Sequence, residues 1–372
     1  MATLKEVARA AGVSVDTVSR VLNRKNKEKW SSTARRSDEI RRIAASLGFR
    51  PNAAARAVRR GTFHRIAFVV TCFEFEGRPE MFQGRGYFPA AIHHLAELGY
   101  SVIPVPIFQD IKTLRMKSIP HLFAETAVDG ILALDGSGIV PSAMDEFIAD
   151  LGVPTVWLNR SPVPGLPCIT SDEVVGGRTL VRHLVDHGHR RIGYVGLSHS
   201  HYSWVDRARS VHMELEAAGL DASGIVRLRP QHWGEDIEEL LDRPDRPTGL
   251  ISCMMPTFHA VHHVLSRRGW RIPEDISLAC FSSAGEWSKD FPFTTWRVPE
   301  TEMAEKGVEL LMDLVAGKPV PNAEYKIQGR LILGTTTAKR GEVWKKHSSA
   351  PLLTQNPKPH PSLRAQRSNL AY

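Results

Sequence analysis

Apolar positions near the amino terminus recur with helical spacing. Leu4, Val7, Ala8 and Ala11 stand at i, i+3, i+4 and i+7, one stripe over about two turns, and Gly12 follows to stop the helix. Ahead of them Thr3 and Glu6 form a capping-box pattern, in which the threonine hydroxyl takes a free amide and the glutamate reaches back. Ser14 can cap a second helix whose inward positions are Val15, Val18 and Leu22, leaving Asp16, Thr17, Ser19, Arg20 and Asn23 outside. A third stripe, Ile40, Ile43, Ala44 and Leu47, ends at Gly48. Two helices joined by a glycine-containing turn, with short polar residues on the second, describe a helix-turn-helix whose second helix can enter a DNA major groove.

From residue 66 the pattern changes. Apolar runs at 66–71, 101–107, 130–134, 154–158, 192–195, 249–253 and 276–281 read as buried parallel strands. Amphipathic stretches at 87–98, 174–187, 204–218, 257–268 and 301–316 alternate with them, so the order is βαβα and the fold class is α/β behind an all-α head. The span 66–338 is too long for one small core and suits two similar lobes. Ligands of such sheets bind outside the carboxyl ends of the strands, here in the expected cleft between lobes. Residues 345–372 are polar, proline-rich and without periodicity, and the tail 339–372 is expected to be disordered and to lack the leucine heptads that would build a higher oligomer.

Charge sharpens this division. Residues 1–65 hold 16 Lys and Arg against 5 Asp and Glu, the tail 339–372 holds 7 against 1, and the remainder holds 25 against 34. A basic head on an acidic body points to a small module that meets a polyanion and a larger one with another task. The 42% apolar and 24% charged residues are ordinary for a globular protein, and no uncharged apolar run is long enough to span a bilayer. Lys5, Glu6 and Arg9 interrupt the place where a signal peptide needs its apolar segment, so a cytoplasmic protein is expected. Cys72, Cys168, Cys253 and Cys280 show no CxxC pairing and read as small apolar residues.

The run TLKEVARAAGVSVDTVSRVLN at 3–23 resembles the DNA-binding head of the LacI (lactose repressor) family, and FRPNAAARAVRRG at 49–61 resembles that family's hinge. The resemblance implies domains at 1–50 (head), 51–65 (hinge helix and linker) and 66–338 (a two-lobed body like the type I periplasmic binding proteins). It implies that Val15 and Asp16 choose the base sequence while Ser14, Thr17, Ser19, Arg20 and Asn23 hold phosphates or shared base edges. Leu4 in the head and Asn52, Ala55, Arg56 and Val58 in the hinge are the other DNA contacts it implies. Asp16 can accept from a cytosine amino group, or can simply favour the helix dipole. Two departures stand out: the basic segment RKNKEKWSSTARR, containing Trp30, is longer than the family's, and Val58 replaces the leucine that wedges between base pairs.

HLVDHGHRRIGYVG at 183–196, RPTGLISC at 246–253, GWRIPEDISLACF at 269–281 and TTWRVP at 294–299 extend the resemblance over the body. It implies that Arg207 reaches the effector, although the glycine customary three residues later is Ser210. Asn159, Met254 and Ser282 occupy the other implied effector positions, where the family's acids and amides are lost. That loss points to a different or less polar ligand, or to none. The segment 73–88, with five aromatics and a GRG, is expected to edge the cleft and is a weak dinucleotide motif. His183 and His187 at i, i+4 and His259 and His262 at i, i+3 read as packing residues, and neither metal nor cofactor is expected. The resulting expectation is a homodimeric transcription regulator, a repressor, that binds a palindromic operator in double-stranded DNA under control of a small molecule, in the family often a sugar. A cytoplasmic small-molecule-binding module and an α/β enzyme are the alternatives. The basic head argues against the first, and the lack of any catalytic signature against the second.

Overall fold

The computed structural model describes residues 2–22, 31–49, 61–75, 78–80, 86–109, 128–135, 143–162, 165–198, 201–282 and 292–340. Asn23, Trp30, the hinge residues Asn52, Ala55, Arg56 and Val58, and the tail from 341 lie outside them.

Three helices make the head: α1 (Leu4–Ala11), α2 (Val15–Leu22) and α3 (Ser31–Ser46). The capping box forms as the sequence predicts, with the Thr3 amide donating to Glu6 at 2.7 Å and the Glu6 amide donating to Thr3 Oγ1 at 3.3 Å. Gly12 closes α1 with φ of 61°, a left-handed conformation that glycine adopts without strain. Val7, Ala8, Val18, Val21, Ile40 and Ala44 are the buried centre. Two expectations are corrected here. Val15 does not point inward: it is the first residue of α2, ahead of the point where the helices converge, and is 41% exposed, while Val21 takes the inward place. The third helix begins at Ser31, so the segment 31–36, read as connection, is helical.

Contacts divide the chain into two units, the head falling in the first. The first takes in Met1–Ser171, Ser200–Tyr202 and Pro299–Ile327, and the second Asp172–His199, Ser203–Val298 and Gln328–Tyr372, in their described parts. The first unit carries a sheet in the order β12-β6-β5-β4-β1-β2, with β3 also paired to β1. Its strands are β1 (Arg65–Phe75), β2 (Arg78–Glu80), β3 (Ser101–Gln109), β4 (Gly130–Leu134), β5 (Thr155–Leu158), β6 (Cys168–Ser171) and β12 (Glu324–Ile327). All pairings are parallel except β1 with β2, where Phe73–Phe75 pair antiparallel with Arg78–Glu80. Alternation along β1 splits its side chains between two faces. Ile66, Phe68 and Val70 meet α4 (Tyr87–Glu97) and α10 (Glu300–Val315), whereas Ala67 and Val69 meet α5 (Ala143–Leu151).

The second unit repeats the plan, with strand order β13-β11-β10-β9-β7-β8. These are β7 (Ile192–Leu197), β8 (Ile225–Leu228), β9 (Gly249–Ser252), β10 (Ser277–Ser282), β11 (Thr294–Arg297) and β13 (Arg330–Ile332), the last antiparallel. Helices α6 (Glu173–Asp186) and α7 (Tyr202–Ala217) cover one face through Leu180, Leu184, Val211 and Leu215. Helices α8 (Trp233–Asp242) and α9 (Met255–Arg267) cover the other through Ile237, Leu241, Phe258 and Val261. Strands covered on both faces read as unbroken apolar runs, which is why the sequence shows them so plainly.

The unexpected Ser210 has a local explanation. A Cβ built on Gly177 of α6 would lie 1.9 Å from Ser210 Oγ, so the hydroxyl of α7 fills the space that the glycine leaves on α6. Ser210 Oγ in turn donates to the Arg207 carbonyl at 3.0 Å and the Glu173 carbonyl at 3.3 Å. Helix propensity alone would make Gly177→Ala stabilising by about 1 kcal/mol. The clash reverses that sign, and Gly177→Ala is expected to destabilise by about 1–3 kcal/mol in thermal or denaturant unfolding. Adding Ser210→Gly should recover most of the loss.

Candidate nucleic-acid interface and effector positions

The exposed side of α2 is assembled from its own cap outward. Ser14 Oγ accepts from the Thr17 amide at 3.2 Å and lies 2.9 Å from Thr17 Oγ1, so the first turn is closed by two of the residues marked out in the sequence. Capping of this kind is worth about 1 kcal/mol, which matters for a helix of 8 residues. One turn on, Arg20 Nε stands 3.3 Å from Asp16 Oδ2, the two side chains being 58% and 79% exposed. At that exposure the pair adds little stability. Its consequence is geometric: a donor fork and an acceptor are held side by side on the outer face, with Val15 at the leading edge and Ser19 half-buried beside them. Leu4 is half-buried against the head core, where it starts α1.

The four effector positions fall in two places. In the second unit, Arg207, Met254 and Ser282 come together at the carboxyl edge of the sheet. Arg207 is buried on α7, and each of its three guanidinium nitrogens donates a hydrogen bond. Nη2 and Nε donate to Glu173 Oε1 and Oε2 at 2.7 and 2.8 Å, Nη1 donates to the Cys253 carbonyl at 2.7 Å, and Phe281 lies 4.9 Å beneath. Burial by itself would disfavour the cation, and the facing Glu173 carboxylate more than offsets this, holding Arg207 charged. Met254 caps α9 with an extended backbone, its amide and carbonyl both bonded to Thr257 Oγ1 at 3.3 and 2.8 Å. Ser282 closes β10 and accepts the Val298 amide on its carbonyl at 3.1 Å.

Asn159 belongs to the first unit. It follows β5 with φ of 51°, its Oδ1 accepts from the Tyr202 hydroxyl at 3.0 Å, and its carbonyl lies 2.8 Å from His201 Nε2. Its neighbour Arg160 is buried against Trp157 at 4.0 Å and forked onto Asp145, with Nη2 donating to Oδ2 at 3.0 Å. Buried Asp135, directly after β4, accepts from Thr71 at 3.0 Å. Glu173, Asp135 and Tyr202 carry much of the polar structure at these edges, and the sequence reading missed all three. Glu173 reads in sequence as an acid favouring a helix start, which is true but hides its partner.

A family model described as bacterial regulatory proteins, lacI family, matches residues 3–52, and one described as a periplasmic binding protein-like domain matches 181–337. Head and body are thus matched in the family's order. The chain carries a LacI-family DNA-binding head. It is a DNA-binding transcription regulator of a family without enzymatic activity. The HTH-type transcriptional repressor PurR of Mannheimia succiniciproducens is 26% identical over 354 residues, 91% of this chain and 99% of its own. The HTH-type transcriptional regulator GalR of Escherichia coli is 29% identical over 334 residues, 86% of this chain and 91% of its own. A lac repressor dimer bound to operator and the anti-inducer ONPF superposes with a TM-score of 0.72 at 21% identity, covering 91% of this chain and 99% of that one. The transcriptional regulator CelR in complex with cellobiose gives 0.59 at 23% identity, covering 90% and 100%. These likenesses bear out the α/β body behind a helix-turn-helix head.

His183 and His189 are packed into the second unit. His183 Nε2 lies 2.9 Å from Thr337 Oγ1, and His189 bonds Thr248 Oγ1 at 3.0 Å and the Ala338 carbonyl at 3.2 Å, tying the last described residues to α6 and β9. Among the described residues no group of three or more His, Cys, Asp or Glu is arranged to hold a metal ion, and no helix is long and apolar enough to cross a membrane. The four cysteines are free and buried, and burial pushes the Cys168 thiol up to about 12. Burial, then the neighbouring His187, lowers His183 to about 4 from an ordinary 6.5. The unfolded chain therefore binds more protons than the folded one between these values, and stability should fall as pH drops from 6.5 towards 4. His189, lowered for the same first reason, adds with the same sign. Denaturant midpoints across that window check this, and His183→Gln should flatten the decline.

Proposed function

We propose that the protein is a cytoplasmic repressor that grips a palindromic operator in double-stranded DNA as a homodimer and answers to a small-molecule effector. The observation that carries this is the outer face of α2: a packed three-helix head presents Ser14, Val15, Asp16, Thr17, Ser19 and Arg20 away from its core. Arg20 and Asp16 read base edges, Val15 adds an apolar contact such as a thymine methyl, and Ser14, Thr17 and Ser19 hold phosphates. Leu4, Asn23 and the hinge residues Asn52, Ala55, Arg56 and Val58 complete the interface in this reading. One head contacts too few phosphates and bases for operator affinity, and a two-fold dimer doubles both while matching a palindrome.

The effector role rests on the kinship with PurR and GalR and on the binding-protein-like plan of the body. Met254 and Ser282 offer a partly apolar surface at the carboxyl edge of the second sheet, with Arg207 behind them, and Asn159 stands at the corresponding edge of the first. Effector binding couples to DNA binding by differential affinity for two states, so operator and effector must change each other's affinity by one factor.

Selection of bound sequences from a random double-stranded pool tests the reading. A palindrome should emerge whose binding falls steeply with salt. Arg20→Ala should weaken it about ten- to a hundredfold, the loss of one bidentate base contact. Failure to enrich any sequence would overturn the proposal.

A further inference from the structure

An arginine at the carboxyl edge of an α/β sheet is the usual means of holding a ligand carboxylate or phosphate, because its planar fork matches either group. Among the described residues Arg160 and Arg207 stand at such edges, and each is already matched by a carboxylate of the chain itself. In the first unit Arg160 is forked onto Asp145. In the second, Glu173 takes both Nε and Nη2 of Arg207 while Nη1 is spent on the Cys253 carbonyl. Arg297, which ends β11, also has an interaction of its own, while its buried Nε has no hydrogen-bond partner among the described residues.

The geometry points to Glu173 as a residue that sets ligand class: its carboxylate occupies the place on Arg207 that an anionic effector would need, so the effector is uncharged or cationic. This rests on the effector reading above. Both partners are buried, the Glu173 side chain completely and that of Arg207 with 8% exposed, so the pair is held largely out of solvent. An incoming anion would have to expel Glu173 and leave that carboxylate buried without its cation, and breaking a buried pair in this way is strongly unfavourable. An uncharged ligand needs no such exchange. It can pack on Met254 and bond at Ser282 while the ion pair stays intact behind them. Glu173 is also fixed from outside the pair, since it begins α6 directly after the Asp172 cap and its carbonyl accepts from Ser210.

The full chain tests this with acetate as the smallest carboxylate and inorganic phosphate as the second anion, each against chloride at equal ionic strength. In the unaltered protein neither anion should move the melting midpoint. Glu173→Ala should lower the midpoint by about 10 °C, the effect expected of a buried ion left unpaired. Acetate should then restore much of the loss by taking the vacated place, while Glu173→Met with Arg207→Met should be insensitive to acetate. Two results would overturn the inference: a response of the unaltered protein to acetate or phosphate that Arg207→Met abolishes, or a folded Glu173→Ala variant that acetate does not rescue. If Glu173→Ala does not fold, the response of the unaltered protein decides. All these readouts are melting midpoints, so a failed operator selection, which would remove the regulator reading, remains distinguishable from failure here.

Discussion

One buried ion pair organises the second unit. Glu173 begins α6, Arg207 lies one turn into α7, and the Cys253 carbonyl belongs to the turn between β9 and α9, so a single guanidinium ties three segments that are distant in sequence. Neither charge could be buried alone at acceptable cost, and together they satisfy each other's hydrogen bonds. The pair also sets how closely α6 and α7 approach. Ser210, on the same side of α7, reaches the backbone of Glu173, and Gly177 leaves the space for its hydroxyl. A substitution that looks like an erosion of the family pattern is thus accommodated by a neighbour on the facing helix.

The first unit reaches a similar end with different residues. Arg160 and Asp145 form its buried pair over Trp157, and Asn159 is held in a left-handed conformation by bonds to His201 and Tyr202. Glycine is the usual occupant of such a conformation, with asparagine next because its short side chain bonds locally. Asparagine at 159 therefore suits the backbone conformation found there. The losses of acid at the family's effector positions and the neutralisation of both arginines point the same way, towards edges with few uncompensated charges.

In the head the balance differs, because little is buried and the termini of short helices dominate. Thr3, Glu6, Gly12 and Ser14 fix where α1 and α2 begin and end, and Val7, Ala8, Val18 and Val21 fix which sides meet. The remaining outer face is free to carry donors and acceptors. Its Asp16 is compatible with a basic module because Arg20 lies one turn away to share its charge.

Local rules were enough for much of this protein. The caps, the glycine stops, the doubly covered strands and the charge asymmetry are properties of neighbours in the chain, so the head and the α/β body were legible without coordinates. The short strands β2, β6, β8, β11, β12 and β13 and the helices α5 and α8 were not foreseen, being short or lying at sheet edges where one face is less buried and the apolar run is weak. Val15 was misplaced because periodicity counts positions and does not know where the helices converge. Above all, the sequence marked Arg207 as a ligand residue but could not reveal Glu173 as its partner. The two are separated by a strand and most of a helix, and only the packing of α6 on α7 decides that their charges meet.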